Sequence, residues 1–170
     1  TYNPRLFLTS SVLQNPTSTS MSLYKAHQIL KIAEAHDLIV VDDDTYGDLL
    51  PSGAAGGVAR LAALDLFERV IHIGSFSKTV APGLRAGFLA ASPKRLERIL
   101  LFRAVGAIHG PLLTDLFMHQ FLADDRYRAH CETLHARLDD ARATALQALQ
   151  AQGCQVPPVS AGMYLWADVD

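Results

Sequence analysis

Cysteine is scarce in this 170-residue chain, and the scarcity removes several classes of protein. Cys131 and Cys154 are the only two, far apart and outside any C-x-x-C pair. Neither a disulfide framework nor a thiolate zinc site is expected, and a reducing cytoplasm is the simplest home. Charge is also sparse, at 19% of residues, and the net charge of -2 comes without a clustered basic run. Direct contact of this segment with nucleic acid is therefore not expected, and Arg95, Arg98, Arg103, Arg126 and Arg128 read as solvated helix faces. The longest apolar runs, such as Leu38 to Val41 and Ile99 to Phe102, are far too short to cross a bilayer, and no charged-then-apolar leader opens the chain. Neither membrane nor export is expected. The histidines, His109 and His72 among them, include no pair at the spacing of a helical metal site. The Gly-rich stretch Ser52 to Gly57 lacks the Lys-Ser/Thr of a phosphate-binding P-loop and reads as a surface connection. There is no internal repeat and no low-complexity tract.

What is present is core-forming material, with 49% hydrophobic residues, enough for one large domain or one and a fraction. Short apolar runs bounded by turn residues at Leu6 to Thr9, Leu38 to Val41, Val70 to Gly74 and Gly87 to Ala90 read as strands buried on both faces. Helical spacing separates several of them. One helix runs from about Ser22, a plausible N-cap, to His36, with Leu23, Ala26, Leu30 and Ala33 on one face. A second starts at Ser92-Pro93 and carries Leu96, Ile99, Leu100 and Arg103. This alternation predicts an α/β fold, a largely parallel sheet in a three-layer α/β/α arrangement, with functional residues gathered at strand exits. From Pro111 the chain turns helical, first to about Ala123 and again from Arg126 to Gln152, where Leu134, Leu138, Ala141, Ala145 and Leu149 form a stripe and Gly153 supplies the stop. Residues 1–125 are thus expected to form part of a large domain, 126–152 a long connecting helix, and 153–170 the start of a smaller domain with a strand at Gly162 to Ala167. Its Met163, Tyr164 and Trp166 read as core. Because Thr1-Tyr2-Asn3-Pro4 runs almost at once into a strand and Met163 to Trp166 looks like one cut short, a piece of a longer protein is expected.

Three strand exits carry polar residues of complementary kinds. Lys78 sits in Ser75-Phe76-Ser77-Lys78, followed by Thr79-Val80-Ala81-Pro82-Gly83-Leu84-Arg85, just after the Val70 strand. Alone, this reads as a surface lysine in a serine-rich loop. A lysine beside hydroxyls and a fixed arginine also suits Schiff-base chemistry with a phosphorylated aldehyde, for which pyridoxal 5'-phosphate is the natural candidate. Ser75 and Ser77 would offer hydroxyls to its phosphate and Arg85 a planar, permanently charged fork, with Pro82-Gly83 supplying the bend. At the second exit, Asp42-Asp43-Asp44-Thr45-Tyr46, a carboxylate beneath a pyridine nitrogen would keep it protonated, a role given to Asp43; Tyr46 would hydrogen-bond the phenolic oxygen. The same triplet also fits a capping turn or a divalent metal site. At the third, Asn15-Pro16-Thr17, Asn15 can donate to the phenolic oxygen, although Asn-Pro is also a common turn.

Taken together and in this order, Asn-Pro-Thr, Asp-x-x-Tyr and Ser-x-Ser-Lys-x-x-x-Pro-Gly-x-Arg resemble the fold-type I, class I/II aminotransferases. More narrowly, Gln14 to Ser22, Asp43 to Leu49 and Gly74 to Thr79 resemble the aminotransferase-like effector domain of MocR-type GntR-family transcription regulators, and much is shared with the aminoadipate-aminotransferase-like enzymes. The resemblance implies Lys78 as the Schiff-base lysine and proton shuttle, Asp43 at the pyridine nitrogen, Asn15 and Tyr46 at the phenolic oxygen, and Ser75, Arg85 and, more weakly, Ser77 at the phosphate. It implies amino-acid and 2-oxo-acid substrates, a homodimer, and DNA contact only through a winged-helix domain before residue 1. Ser18 departs from the glycine usual after Asn-Pro-Thr. The family's upstream phosphate loop and ring-stacking aromatic, and its downstream substrate-carboxylate arginine, have no counterpart in these residues. Two other readings use the same side chains. A regulator can keep this machinery as a non-catalytic amino-acid sensor. A haloacid-dehalogenase-like magnesium phosphotransferase would use Asp42 as nucleophile, but Gly87 to Ser92 lacks the acidic pair that would complete its metal shell.

Overall fold

The computed structural model describes residues 2–51, 58–106, 110–123 and 125–169. The glycine-rich stretch 52–57, His109 and Asp124 lie outside the described residues. Strands β1 (Leu6–Thr9), β2 (Ile39–Asp43), β3 (Val70–Ser75) and β4 (Gly87–Ala90) form a sheet in that spatial order. The first three are parallel, and β4 returns antiparallel beside β3. Helices α1 (Leu23–Ala35) and α2 (Leu61–Asp65) occupy the crossovers, as parallel neighbours require.

The α1 start is fixed by Ser22, whose hydroxyl accepts the Lys25 N–H at 3.4 Å. Its Ala26 and Ala33 pack with Val40 of β2, Leu61 and Ala62 of α2, and Val70 of β3 in one core. Leu23, expected on that face, is 51% exposed. A second core joins Val12 and Leu13 after β1, Leu49 and Leu50 after β2, and Ala161, with Leu134 and Leu138 packed against it. This second cluster draws the loops at the strand exits together.

Helix α3 (Pro93–Gly106) begins with proline, α4 (Leu112–Ala123) follows, and α5 (Arg126–Ala151) is the long helix anticipated. The end of α5 is a glycine stop. Gly153, at φ 82°, donates to the Gln150 carbonyl at 3.0 Å, and Cys154 donates to that of Leu149 at 3.1 Å. Beyond it the expected strand over 162–167 does not form. A strand needs a neighbouring backbone ladder, and past Gly153 the described residues provide only an isolated antiparallel bridge, Gln155 with Asp168. Met163 and Trp166, expected in a core, are 43% and 47% exposed.

Candidate active site

Lys78 is presented by a tight loop at the end of β3. Phe76 is buried against Phe88 and Tyr127, while Ser75 and Ser77 remain half-buried beside it. Ser75 Oγ accepts the Ser77 N–H at 3.2 Å, and Val80 N–H reaches the Phe76 carbonyl at 2.8 Å. Lys78 is exposed at the crest, and among the described residues its amine has no hydrogen bond or ion pair.

The loop is clamped from α5 through buried Thr79. The Tyr127 hydroxyl lies 2.6 Å from Asp48 Oδ2 and 3.0 Å from Thr79 Oγ1. With one proton it donates to the carboxylate, leaving its oxygen to accept from the threonine. Burial, followed by the Asp48 carboxylate, holds the Tyr127 phenol well above its ordinary range. His130 Nε2 lies 2.6 Å from the Thr79 carbonyl and His135 Nε2 2.8 Å from that of Asp48; a carbonyl only accepts, so both nitrogens carry protons.

Seven residues past Lys78, a short 3-10 turn, Pro82–Leu84, carries the chain to Arg85. The bend lies at Pro82-Gly83 as expected, and Arg85, which closes it, is left-handed at φ 51°. Its N–H closes the turn on the Pro82 carbonyl at 3.3 Å. Such backbone strain in a non-glycine residue persists where the surroundings over-determine it. Ser75, Ser77 and Arg85 line one cavity of about 560 Å³, with apolar walls that include Ile73 and Leu96. Arg103, exposed on α3 as expected, lines it too.

Asp43 stands on the adjoining strand. It is in register with Ile73, two residues before Ser75, so Asp43, Ile73 and Ser75 share one face of the sheet. Its Oδ1 accepts from Thr45 N–H at 3.1 Å and Thr45 Oγ1 at 2.5 Å, which fixes the carboxylate and leaves Oδ2 available. Asp42 points to the opposite face, 1% exposed, and both of its oxygens are taken by Ser11, from N–H at 3.0 Å and from the hydroxyl at 2.8 Å. A nucleophile cannot be so enclosed, so the phosphotransferase reading fails. Asp44 is buried against the Arg60 guanidinium, and its Oδ1 has no hydrogen-bond partner among the described residues. Burial raises its carboxyl to about 7 against the pull of Arg60, with Asp42 and Asp48 adding to the rise. His72, half-buried beside Phe88, is held below its ordinary range, mainly by burial.

Asn15 and Tyr46 meet through a residue that was read as core. Tyr164 places its hydroxyl 3.0 Å from that of Tyr46, with the rings edge-on at 5.6 Å, and it accepts from Asn15 Nδ2 at 3.4 Å. Its phenol is raised, first by the Tyr46 hydrogen bond and then by burial, while the Lys78 charge pulls the other way. The signal was present in the sequence: Tyr164 brings the one side-chain hydroxyl to Met163 to Trp166, and a tyrosine packed among its neighbours needs a polar partner. The structure therefore gathers Ser75, Ser77 and Arg85 around one cavity and Asn15 with Tyr46 around Tyr164. Asp43 lies on the sheet face that carries Ser75, and Lys78 lies within electrostatic reach of Tyr164.

A family model described as aminotransferase class I and II matches residues 3–170. The chain is 26% identical over 166 residues to aromatic-amino-acid aminotransferase 1 of Thermococcus litoralis, covering 96% of this chain and 39% of that protein. It is 27% identical over 168 residues to the HTH-type transcriptional regulator YisV of Bacillus subtilis, covering 97% and 34%. The crystal structure of Pyrococcus horikoshii kynurenine aminotransferase in complex with PMP superposes with a TM-score of 0.87 at 26% identity, covering 96% of this chain and 41% of that one. The chain thus spans 34% to 41% of the length of these relatives.

Proposed function

The chain belongs to the aminotransferase class I and II family, and from that premise we propose that the full-length protein binds pyridoxal 5'-phosphate and moves an amino group from an amino acid to a 2-oxo acid. When bound, that cofactor supplies an aldehyde able to condense with an amine and a ring able to accept the electrons released at the substrate's alpha carbon. The residues present fit it. Ser75 and Ser77 offer hydroxyls and Arg85 a guanidinium to the phosphate, the donor set a dianion calls for. The unengaged oxygen of Asp43 faces the same side of the sheet as Ser75 and would hold a proton at the ring nitrogen. Asn15 and Tyr46 would donate to the phenolic oxygen. Lys78, exposed and unpaired among the described residues, supplies the amine and carries the alpha proton to and fro.

The observation that carries this reading is the joint lining of one cavity by Ser75, Ser77 and Arg85. The test is absorption spectroscopy of the full-length protein with pyridoxal 5'-phosphate. A visible band should form, and Lys78→Ala should abolish it, together with transaminase activity on a panel of amino acids. Persistence of the band in that variant would refute the assignment.

A second reading is favoured by the similarity to an HTH-type regulator. In it the chain is an amino-acid-sensing effector unit whose DNA contact lies in a domain outside these residues. DNA binding that responds to amino acid and cofactor, with no turnover, would select the sensor. The family resemblance also supports a homodimer, and the sparse cysteines support a cytoplasmic site. No described helix is long and apolar enough to cross a membrane.

A further inference from the structure

Between α5 and the end of the chain lies a segment whose backbone is tied down at two points. Arg142, itself paired with Asp139 at 2.7 Å, donates to the Gly162 carbonyl at 2.9 Å. Ser18 Oγ donates to the Tyr164 carbonyl at 2.9 Å. Ser18 and Gly162 approach closely enough that a Cβ on Gly162 would lie 3.0 Å from Ser18 Oγ, and Gly162 has φ 91°, so only glycine sits here without strain. Ser18 holds a left-handed backbone at φ 53°, the conformation for which glycine is the usual choice, yet it is serine whose hydroxyl makes the tie. The residue that departs from the family pattern is thus the one that holds Tyr164 in place.

Counting protons gives the Tyr164 hydroxyl a direction. Its oxygen accepts one of the two Asn15 Nδ2 protons, and it has a single proton of its own to give. Given to Tyr46, 3.0 Å away, that proton leaves the Tyr46 hydroxyl free to donate onward. We propose that Tyr164 is a positioning residue of this site: it relays donation from Asn15 through its own hydroxyl to Tyr46, so that the Tyr46 proton points at an anionic oxygen of the bound ligand, and Ser18 fixes it there. The ligand class is an aromatic ring bearing a phenolate, and this identification rests on the proposed function above. Chained hydrogen bonds strengthen one another, so Tyr46 donates more strongly with Tyr164 than without it. The groups facing the Tyr164 hydroxyl are Tyr46, Asn15 and the charge of Lys78; Arg142 and Asp139 are engaged further back along the segment.

Donation to the phenolic oxygen draws off electron density that would otherwise retain the proton shared with the Lys78 nitrogen, which lowers the pH midpoint of the visible band. Tyr164→Phe keeps the ring and its edge-on packing but ends the relay. In the full-length protein loaded with pyridoxal 5'-phosphate, the midpoint of the Lys78-dependent band should rise by about 0.4 to 1 unit, the equivalent of one hydrogen bond. Ser18→Ala should move it the same way by less, because the hydroxyl remains but its anchor is gone. A lost packing contact alone would not move a pH midpoint. An intact band with an unmoved midpoint in Tyr164→Phe would overturn this proposal while sparing the functional reading. No Lys78-dependent band in the unmodified protein would overturn both.

Discussion

At the scale of single residues, binding and stability turn on how individual charges are held. Arg85 is expected to grip a phosphate with its planar fork, and charge-assisted hydrogen bonds of this kind contribute about 1.5–3 kcal/mol. Arg85→Ala should therefore weaken pyridoxal 5'-phosphate binding about ten- to a hundredfold, read by fluorescence titration of the full-length protein; Arg85→Lys should keep the charge, lose the fork and fall between. Asp44 makes a prediction about stability. Burial raises its carboxyl from 3.8 to about 7, so between those values the folded protein holds a proton that the unfolded chain has released. The stabilisation is complete below 3.8 and is lost as the pH rises through 7. Urea midpoints should fall from pH 5 to pH 8, and Asp44→Asn should flatten that slope.

At the scale of elements, much of the architecture was readable because the signals were local. Ser22, Ser92-Pro93 and Gly153 each mark a helix end through a backbone group that must be satisfied, and the β2 and β3 runs are short and apolar because they are interior, whereas β1, expected to be buried on both faces, is an exposed edge. The strand exits told where Asp43, Lys78 and Arg85 would lie. What the sequence could not give came from contacts distant along the chain. Asp42 and Asp43 look alike in a row of three acids, and only the strand's alternation sends one into Ser11 and the other to the opposite face. Arg85 itself takes a left-handed backbone just after the Pro82-Gly83 bend, which no local signal announces. Tyr164 meets Tyr46 across more than a hundred residues, and the 162–167 run fails as a strand for want of a neighbour. The α5 clamp is of the same long-range kind and is testable. Tyr127→Phe leaves Asp48 and Thr79 without their shared phenol, so it should cost about 1–3 kcal/mol in chemical denaturation and loosen the lysine loop, seen as faster amide exchange around Thr79.

At the scale of the whole molecule, apolar surface is conspicuous. Leu101, Phe102 and Val105 of α3 and Leu112 and Leu113 of α4 are each more than 60% exposed, and Leu6 and Leu8 stand out from β1 at an unpaired edge. Surfaces of this kind associate. The isolated 170-residue chain should therefore self-associate with rising concentration in sedimentation velocity and bind a hydrophobic dye. If one amine of this chain condenses with a phosphorylated aldehyde whose anion is held by Arg85, borohydride will trap the bond. The full-length protein, loaded with pyridoxal 5'-phosphate, is reduced, digested and mapped by mass spectrometry. The reduced adduct is expected on the peptide containing Lys78 and is expected to be lost in Lys78→Ala; an adduct on Lys25, Lys31 or Lys94 with Lys78 unmodified would refute the Schiff-base assignment.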